Sequence, residues 1–180
     1  MKIVKEFLNG AKVIEPTVFK DERGYFSETF NEKKLKEYLG EVQFVQDNQS
    51  LSQKDVLRGL HFQKKPHAQG KLVRVIAGSV LDVIVDIRFD SPTYGQHEST
   101  VLSDKNFLML WVPPGFAHGF KTLEDDTVFF YKVDNYYNKQ SEICVKWNDG
   151  DLAIDWECES PLVSEKDNEG VQFSDLNRLF

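Results

Sequence analysis

Apolar positions fall into many short runs separated by turn-forming residues, and one stretch has a clear helical period. In residues 31–40 (NEKKLKEYLG), Asn31 can cap a helix, Leu35 and Leu39 share a face, and Gly40 can end it, which predicts a short surface helix. The remainder has the pattern of strands. Residues 71–76 lead into Ala77-Gly78-Ser79, after which VLDVIVDIRFD alternates as far as Ser91-Pro92, predicting a hairpin. Residues 107–112 are apolar and stop at Pro113-Pro114-Gly115, while residues 127–133 (TVFFYKV) are rich in branched and aromatic side chains. The terminal SDLNRLF is a candidate for a second helix. Short strands at close spacing predict an all-β antiparallel barrel or sandwich, and among these a jelly roll is our choice.

Composition narrows the class. At 180 residues and 41% hydrophobic content, with no repeat or linker-like tract, the chain is expected to form a single domain over residues 1–180 without metals or disulfides. A formal net charge of -7 argues against a general nucleic-acid binder, so an anionic ligand must meet local basic residues. Cys144 and Cys158 have no CxxC spacing, which predicts inert free thiols in a reducing compartment. No apolar run has signal-peptide length or approaches the ~20 residues of a membrane span, so the expected location is the cytoplasm, away from membranes.

Candidate chemistry centres on histidine, whose ordinary pKa suits a general base near neutrality. His61 (VLRGLHFQKK), His67 (KPHAQGK) and His118 (PPGFAHGF) are the candidates, although each also reads as a hydrogen-bonded structural residue. Pro113-x-Gly115-x-x-His118 is similar to the later cupin metal motif, but the chain has no HxH pair. His61 and His67 would lie ~20 Å apart on a continuous strand, too far to share a metal unless the chain bends at Lys65-Pro66. There is no G-x-S-x-G, no Gly-rich phosphate loop, and no cysteine with a histidine nearby in sequence. What remains is acid–base chemistry without a cofactor, for which Arg58, His61, Lys71 and Tyr131 are available. Arg58 and Lys71 also read as surface charge, and Tyr131 as a core tyrosine.

Taken together, VQDNQS, VLRGLHFQ, HAQGKLVRV, GSVLDVIVDIRFDSPTYG, WVPPGFAHGF, FFYKVDNYY and WND closely resemble the dTDP-4-dehydrorhamnose 3,5-epimerase family, over about residues 12–167. That resemblance implies a cupin-like jelly-roll barrel that has lost its metal, with a short N-terminal helix and a few peripheral helical turns. It implies a homodimer with exchanged N-terminal strands. It also implies epimerisation of a dTDP-4-keto-6-deoxy sugar at C3 and C5, the step from dTDP-4-dehydro-6-deoxy-D-glucose to dTDP-4-dehydro-L-rhamnose.

Carried over by position, His61 matches the family's base, Tyr131 its acid, Asp167 the carboxylate paired with the histidine, and Lys71 the cation near the developing enolate. Arg58, His118, Glu142 and Lys166 match substrate-binding positions. Arg23, Glu28, Gln46, Asp47 and Asn48 match nucleotide-binding ones, with Phe19 and Tyr137 lining or stacking on that site. Gln49 stands where the resemblance leads us to expect histidine in many relatives. The alternatives are an epimerase of only C3 or only C5, a metal-dependent cupin, and a sugar-nucleotide-binding cupin without catalysis.

Overall fold

The computed structural model describes residues 1–176 and 180. Strands β1 (Lys2–Phe7) and β2 (Ala11–Glu15) form one hairpin, and β3 (Val18–Asp21) and β4 (Gly24–Ser27) a separate two-stranded sheet. Helix α1 (Glu32–Leu39) follows, then β5 (Gln46–Ser52), β6 (Val56–Gln63), β7 (Lys71–Ala77), β8 (Ser79–Asp86) and β9 (His97–Ser103). The chain continues with β10 (Met109–Val112), β11 (Phe116–Thr122), β12 (Thr127–Val133), β13 (Glu142–Cys144), β14 (Leu162–Val163) and the single turn α2 (Glu165–Asn168).

One sheet has the order β1-β2-β10-β7-β12-β5; the other runs β13-β6-β11-β8-β9, with β14 beside β6 in parallel. Their inner faces share a core that includes Val73, Val75 and Phe129 from the first sheet and Val80, Ile84, Phe116 and Phe120 from the second. This is the cupin-like jelly roll. Each of these buried apolar side chains contributes roughly 1.5–3 kcal/mol.

The expected hairpin over residues 71–86 does not form. β7 pairs with β10 and β12 in the first sheet, β8 with β11 and β9 in the second, and the chain changes sheets at Gly78. There φ is +80°, and a Cβ would collide with Thr127. A glycine turn between two β runs fixes a reversal but not its plane; burial fixes the plane. All eight residues of β8 are buried, because Val80 and Ile84 face the shared core while Leu81, Val83 and Val85 are covered by Val145, Leu152 and Trp156.

Helix α1 is where the sequence places it. Asn31 Oδ1 accepts from the Lys34 amide at 3.1 Å, and the Gly40 amide, at φ +78°, donates to Lys36 O at 3.0 Å. Eight residues are fewer than the ~12–15 an isolated helix needs, so packing holds it. Leu35, 2% exposed, seats among Ile14, Leu72, Met109 and Trp111 on the outer side of the first sheet. At the start of SDLNRLF, residues 174–180, the expected second helix is one 3-10 turn, Phe173–Asp175, and residues 177–179 lie outside the described residues. No helix among the described residues is long and apolar enough to cross a membrane.

Candidate active site

Side chains alternate across a strand, so the inner face of each sheet presents every second residue to the barrel interior. On β6 these include His61 and Gln63, on β7 Lys71, on β12 Tyr131, and on β5 Gln46 and Asn48. One open cavity, in two adjoining lobes, is lined by His61, Lys71, Tyr131 and Asn48 throughout. Gln46, Gln63, Gln69, Tyr137 and Glu142 complete one lobe; Arg58, His118, Lys166 and Asp167 belong to the other. His61 and Tyr131 therefore enter from opposite sheets.

The β6–β11 register sets His118 beside His61, and the β6–β13 register sets Cys144 beside it on the other side. Gly59 makes the first pairing possible. At φ +133°, a Cβ there would lie 2.5 Å from Gly119 Cα, so a side chain would force β6 away from β11. Asp167 arrives from α2, whose cap Ser164 accepts from the Asp167 amide. Its Oδ1 meets His61 Nε2 at 2.7 Å while Oδ2 accepts from the Gly59 amide at 3.2 Å. Burial alone would raise this carboxyl, but the bond and charge of His61, the Gly59 amide and Lys166 together hold it below the ordinary value. With Nε2 engaged, His61 has Nδ1 left to exchange a proton with a ligand.

Lys71 is half-buried on the cavity wall, and desolvation brings its ammonium down to about 8 despite the carboxylates of Asp82 and Glu142. Its Nζ donates to the His61 carbonyl at 3.3 Å. Burial, assisted by Glu142 and opposed by Arg58, raises the Tyr131 phenol, which stays a proton carrier at neutral pH. The buried His118 holds Nε2 3.0 Å from both oxygens of Asp82. Burial pushes the imidazole down and the carboxyl up, each toward its neutral form. At the mouth, Glu142 accepts from Tyr137 OH at 2.9 Å and from Lys166 Nζ at 2.6 Å. Arg58 is exposed there, steadied by Nε donating to Ser52 Oγ.

Eleven of the residues singled out from the sequence line this cavity: His61, Tyr131, Asp167, Lys71, Gln46, Asn48, Arg58, His118, Tyr137, Glu142 and Lys166. Four do not. Asp47 points to the outer face of its sheet and pairs with Lys132 at 2.8 Å. Phe19, 63% exposed, lies on the β3–β4 hairpin with Arg23, which is paired to Asp21, and Glu28 binds Asn31 and Lys34. Conversely, Asp82 and Gln63 went unmarked. Asp82 could have been found as a charged residue at an inward position of the apolar run VLDVIV. Gln63, 4% exposed, bonds the His67 and Tyr136 carbonyls and the Asn138 amide, a role carrying no local sequence signal.

Comparison with known proteins gives a consistent result. A sequence model of the family described as dTDP-4-dehydrorhamnose 3,5-epimerase matches residues 5–175. The chain is 49% identical over 178 residues to dTDP-4-dehydrorhamnose 3,5-epimerase of Shigella flexneri, covering 98% of each protein. The crystal structure of the enzyme of that name from Elizabethkingia anophelis superposes with a TM-score of 0.93 at 53% identity, covering 98% of both chains. A Legionella pneumophila dTDP-6-deoxy-D-glucose-3,5-epimerase, solved in complex with dTDP-4-keto-L-rhamnose, superposes with a TM-score of 0.94 at 46% identity, covering 98% of this chain and 94% of that one.

Proposed function

The chain belongs to the dTDP-4-dehydrorhamnose 3,5-epimerase family, and from that premise we propose that it converts dTDP-4-dehydro-6-deoxy-D-glucose to dTDP-4-dehydro-L-rhamnose by inverting C3 and C5. The observation that carries this reading is the entry of His61 and Tyr131 into one cavity from opposite sheets. Inversion needs a base on one face of the sugar ring and an acid on the other.

The C4 ketone acidifies the hydrogens on C3 and C5. His61 removes each in turn, and Asp167 orients the ring and stabilises the imidazolium. Negative charge moves to the C4 oxygen, where Lys71 meets it from a desolvated position. Tyr131 returns a proton to the opposite ring face and is reprotonated from solvent. This sequence calls on no cofactor. Arg58, Lys166 and His118 hold the substrate in one lobe, while Gln46, Asn48, Tyr137 and Glu142 take the remainder. The chain acts as one epimerase domain in the cytoplasm, a location to which its free cysteines are suited.

The working form is a homodimer with exchanged N-terminal strands, in which the β3–β4 hairpin of each chain reaches the cavity of the other. Its support is the position of Phe19, Arg23 and Glu28, which stand outside the cavity of their own chain. Asp47 completes the nucleotide end after exchanging its contact with Lys132 for one with ligand.

Turnover of dTDP-4-dehydro-6-deoxy-D-glucose in deuterated water without added metal should place deuterium at both C3 and C5, read by NMR. Label at one carbon alone would replace this reading with a single-site epimerase, and no label would sink it. His61→Asn should abolish exchange at both positions while dTDP binding stays within about threefold, because the base does not anchor the nucleotide.

A further inference from the structure

The registers that build the cavity also bring a thiol to the base. Cys144 sits directly opposite His61 in the β13–β6 pairing, and its Sγ lies 3.8 Å from Asp167 Oδ1. One nitrogen, one sulfur and one carboxylate oxygen of His61, Cys144 and Asp167 all fall within 4.8 Å of one another. We propose that these three side chains form an inhibitory zinc site, with the metal's fourth position open to the substrate cavity.

The donor chemistry selects the ion. Imidazole, thiolate and carboxylate together suit zinc or another borderline-soft metal and not calcium or magnesium, which prefer oxygen alone. Tetrahedral zinc with bonds of about 2.0–2.3 Å sets its ligand atoms roughly 3.3–3.7 Å apart. The sulfur–oxygen separation of 3.8 Å is just beyond that spacing, whereas His61 Nε2 and Asp167 Oδ1, at 2.7 Å, share a proton and must part by about half an ångström. Both donors are held by opposable pieces: His61 is on the β6 backbone, and Asp167 on the short turn α2. The proton balance is simple. The ring proton moves from Nε2 to Nδ1 and the thiol proton leaves to solvent, so one proton is released per zinc bound.

Occupancy would silence the enzyme by two routes. It separates His61 from the carboxylate that orients it, and it places the ring proton on Nδ1, the nitrogen that must accept one from the sugar. The inhibition, though not the metal binding, rests on the role proposed above for His61. Cys144 transfers no proton to or from the sugar in that chemistry; its thiol donates to Asp167 Oδ1 at 3.8 Å, a long contact that a serine hydroxyl can replace.

The test uses the full-length protein, stripped with EDTA and then titrated with zinc or cobalt(II) chloride. Cobalt should give the near-ultraviolet thiolate-to-metal charge-transfer band at one equivalent, and zinc should suppress deuterium exchange at C3 and C5 until EDTA restores it. Cys144→Ser should retain turnover within about twofold, lose the cobalt band, and need at least about tenfold more zinc for half-inhibition. Cys144→Ala serves if the serine variant does not fold, and must give the same result. Wild-type protein without the cobalt band, or a cysteine variant inhibited at the wild-type zinc concentration, would overturn the proposal. Because cobalt binding is read without turnover, a protein that shows the band but does not process the sugar would defeat the functional reading and leave the metal site standing.

Discussion

Lys71 reports on its own surroundings through pH. Its ammonium, brought to about 8 by burial, is present below that pH and lost above it, so kcat should fall on the alkaline side with an apparent pKa near 8. Stability should move the other way. Between about 8 and the ordinary 10.5, the unfolded chain keeps a proton that the folded chain has released, so this group's contribution to stability rises with pH. Activity and melting temperature measured at the same pH values will separate the two trends. Lys71→Arg, which keeps its charge, should carry the alkaline limb upward by about one unit or more. Asp167→Asn keeps the shape of the side chain but removes the charge that faces the imidazolium, and should lower kcat by roughly 10²–10⁴-fold with little change in dTDP affinity. Residue types were legible at this scale: a histidine, a tyrosine and a lysine were available for acid–base work. Their burial was not, and burial is what sets the lysine and the His118–Asp82 pair apart from surface charges.

Strand registers convert these residue types into a site, and in the contact of β6 with β11 Gly59 lies directly against Gly119. Gly59→Ala would press a methyl group into Gly119 in a positive-φ conformation, costing roughly 2–5 kcal/mol from overpacking and backbone strain. The same substitution would shift the amide that holds Asp167 Oδ2, so exchange activity should fall even in protein that remains folded. Denaturant unfolding and the deuterium assay measure the two effects separately. Strand positions such as Thr127–Val133, and the helix with both its caps, could be read from local pattern because propensity and turn chemistry are local. Sheet membership could not. The step at Gly78 looks like a hairpin turn in sequence, and only the apolar cover on both faces of β8 sends the chain into the second sheet.

For the whole molecule, the proposed exchange of the β3–β4 hairpin between two chains predicts complementation. Co-expressed His61→Asn and Arg23→Ala chains should regain about a quarter of wild-type activity, because half of randomly mixed dimers carry one intact site. Each variant alone should stay low; a mixture no better than its components would mean that Arg23 serves its own chain's cavity or none. Arg23 and Phe19 entered by resemblance, since nothing in the local pattern distinguishes an arginine that completes another copy's pocket from a solvated one. The His61–Asp167 contact spans the molecule differently. Its partners are separated by 106 positions, and the carboxylate arrives on a turn near the end of the chain. Chains emerge N-terminus first, so the barrel strands and His61 are available while Asp167 is still unmade. A chain interrupted before residue 167 would therefore have His61 on its strand but lack the carboxylate that lies 2.7 Å from its Nε2.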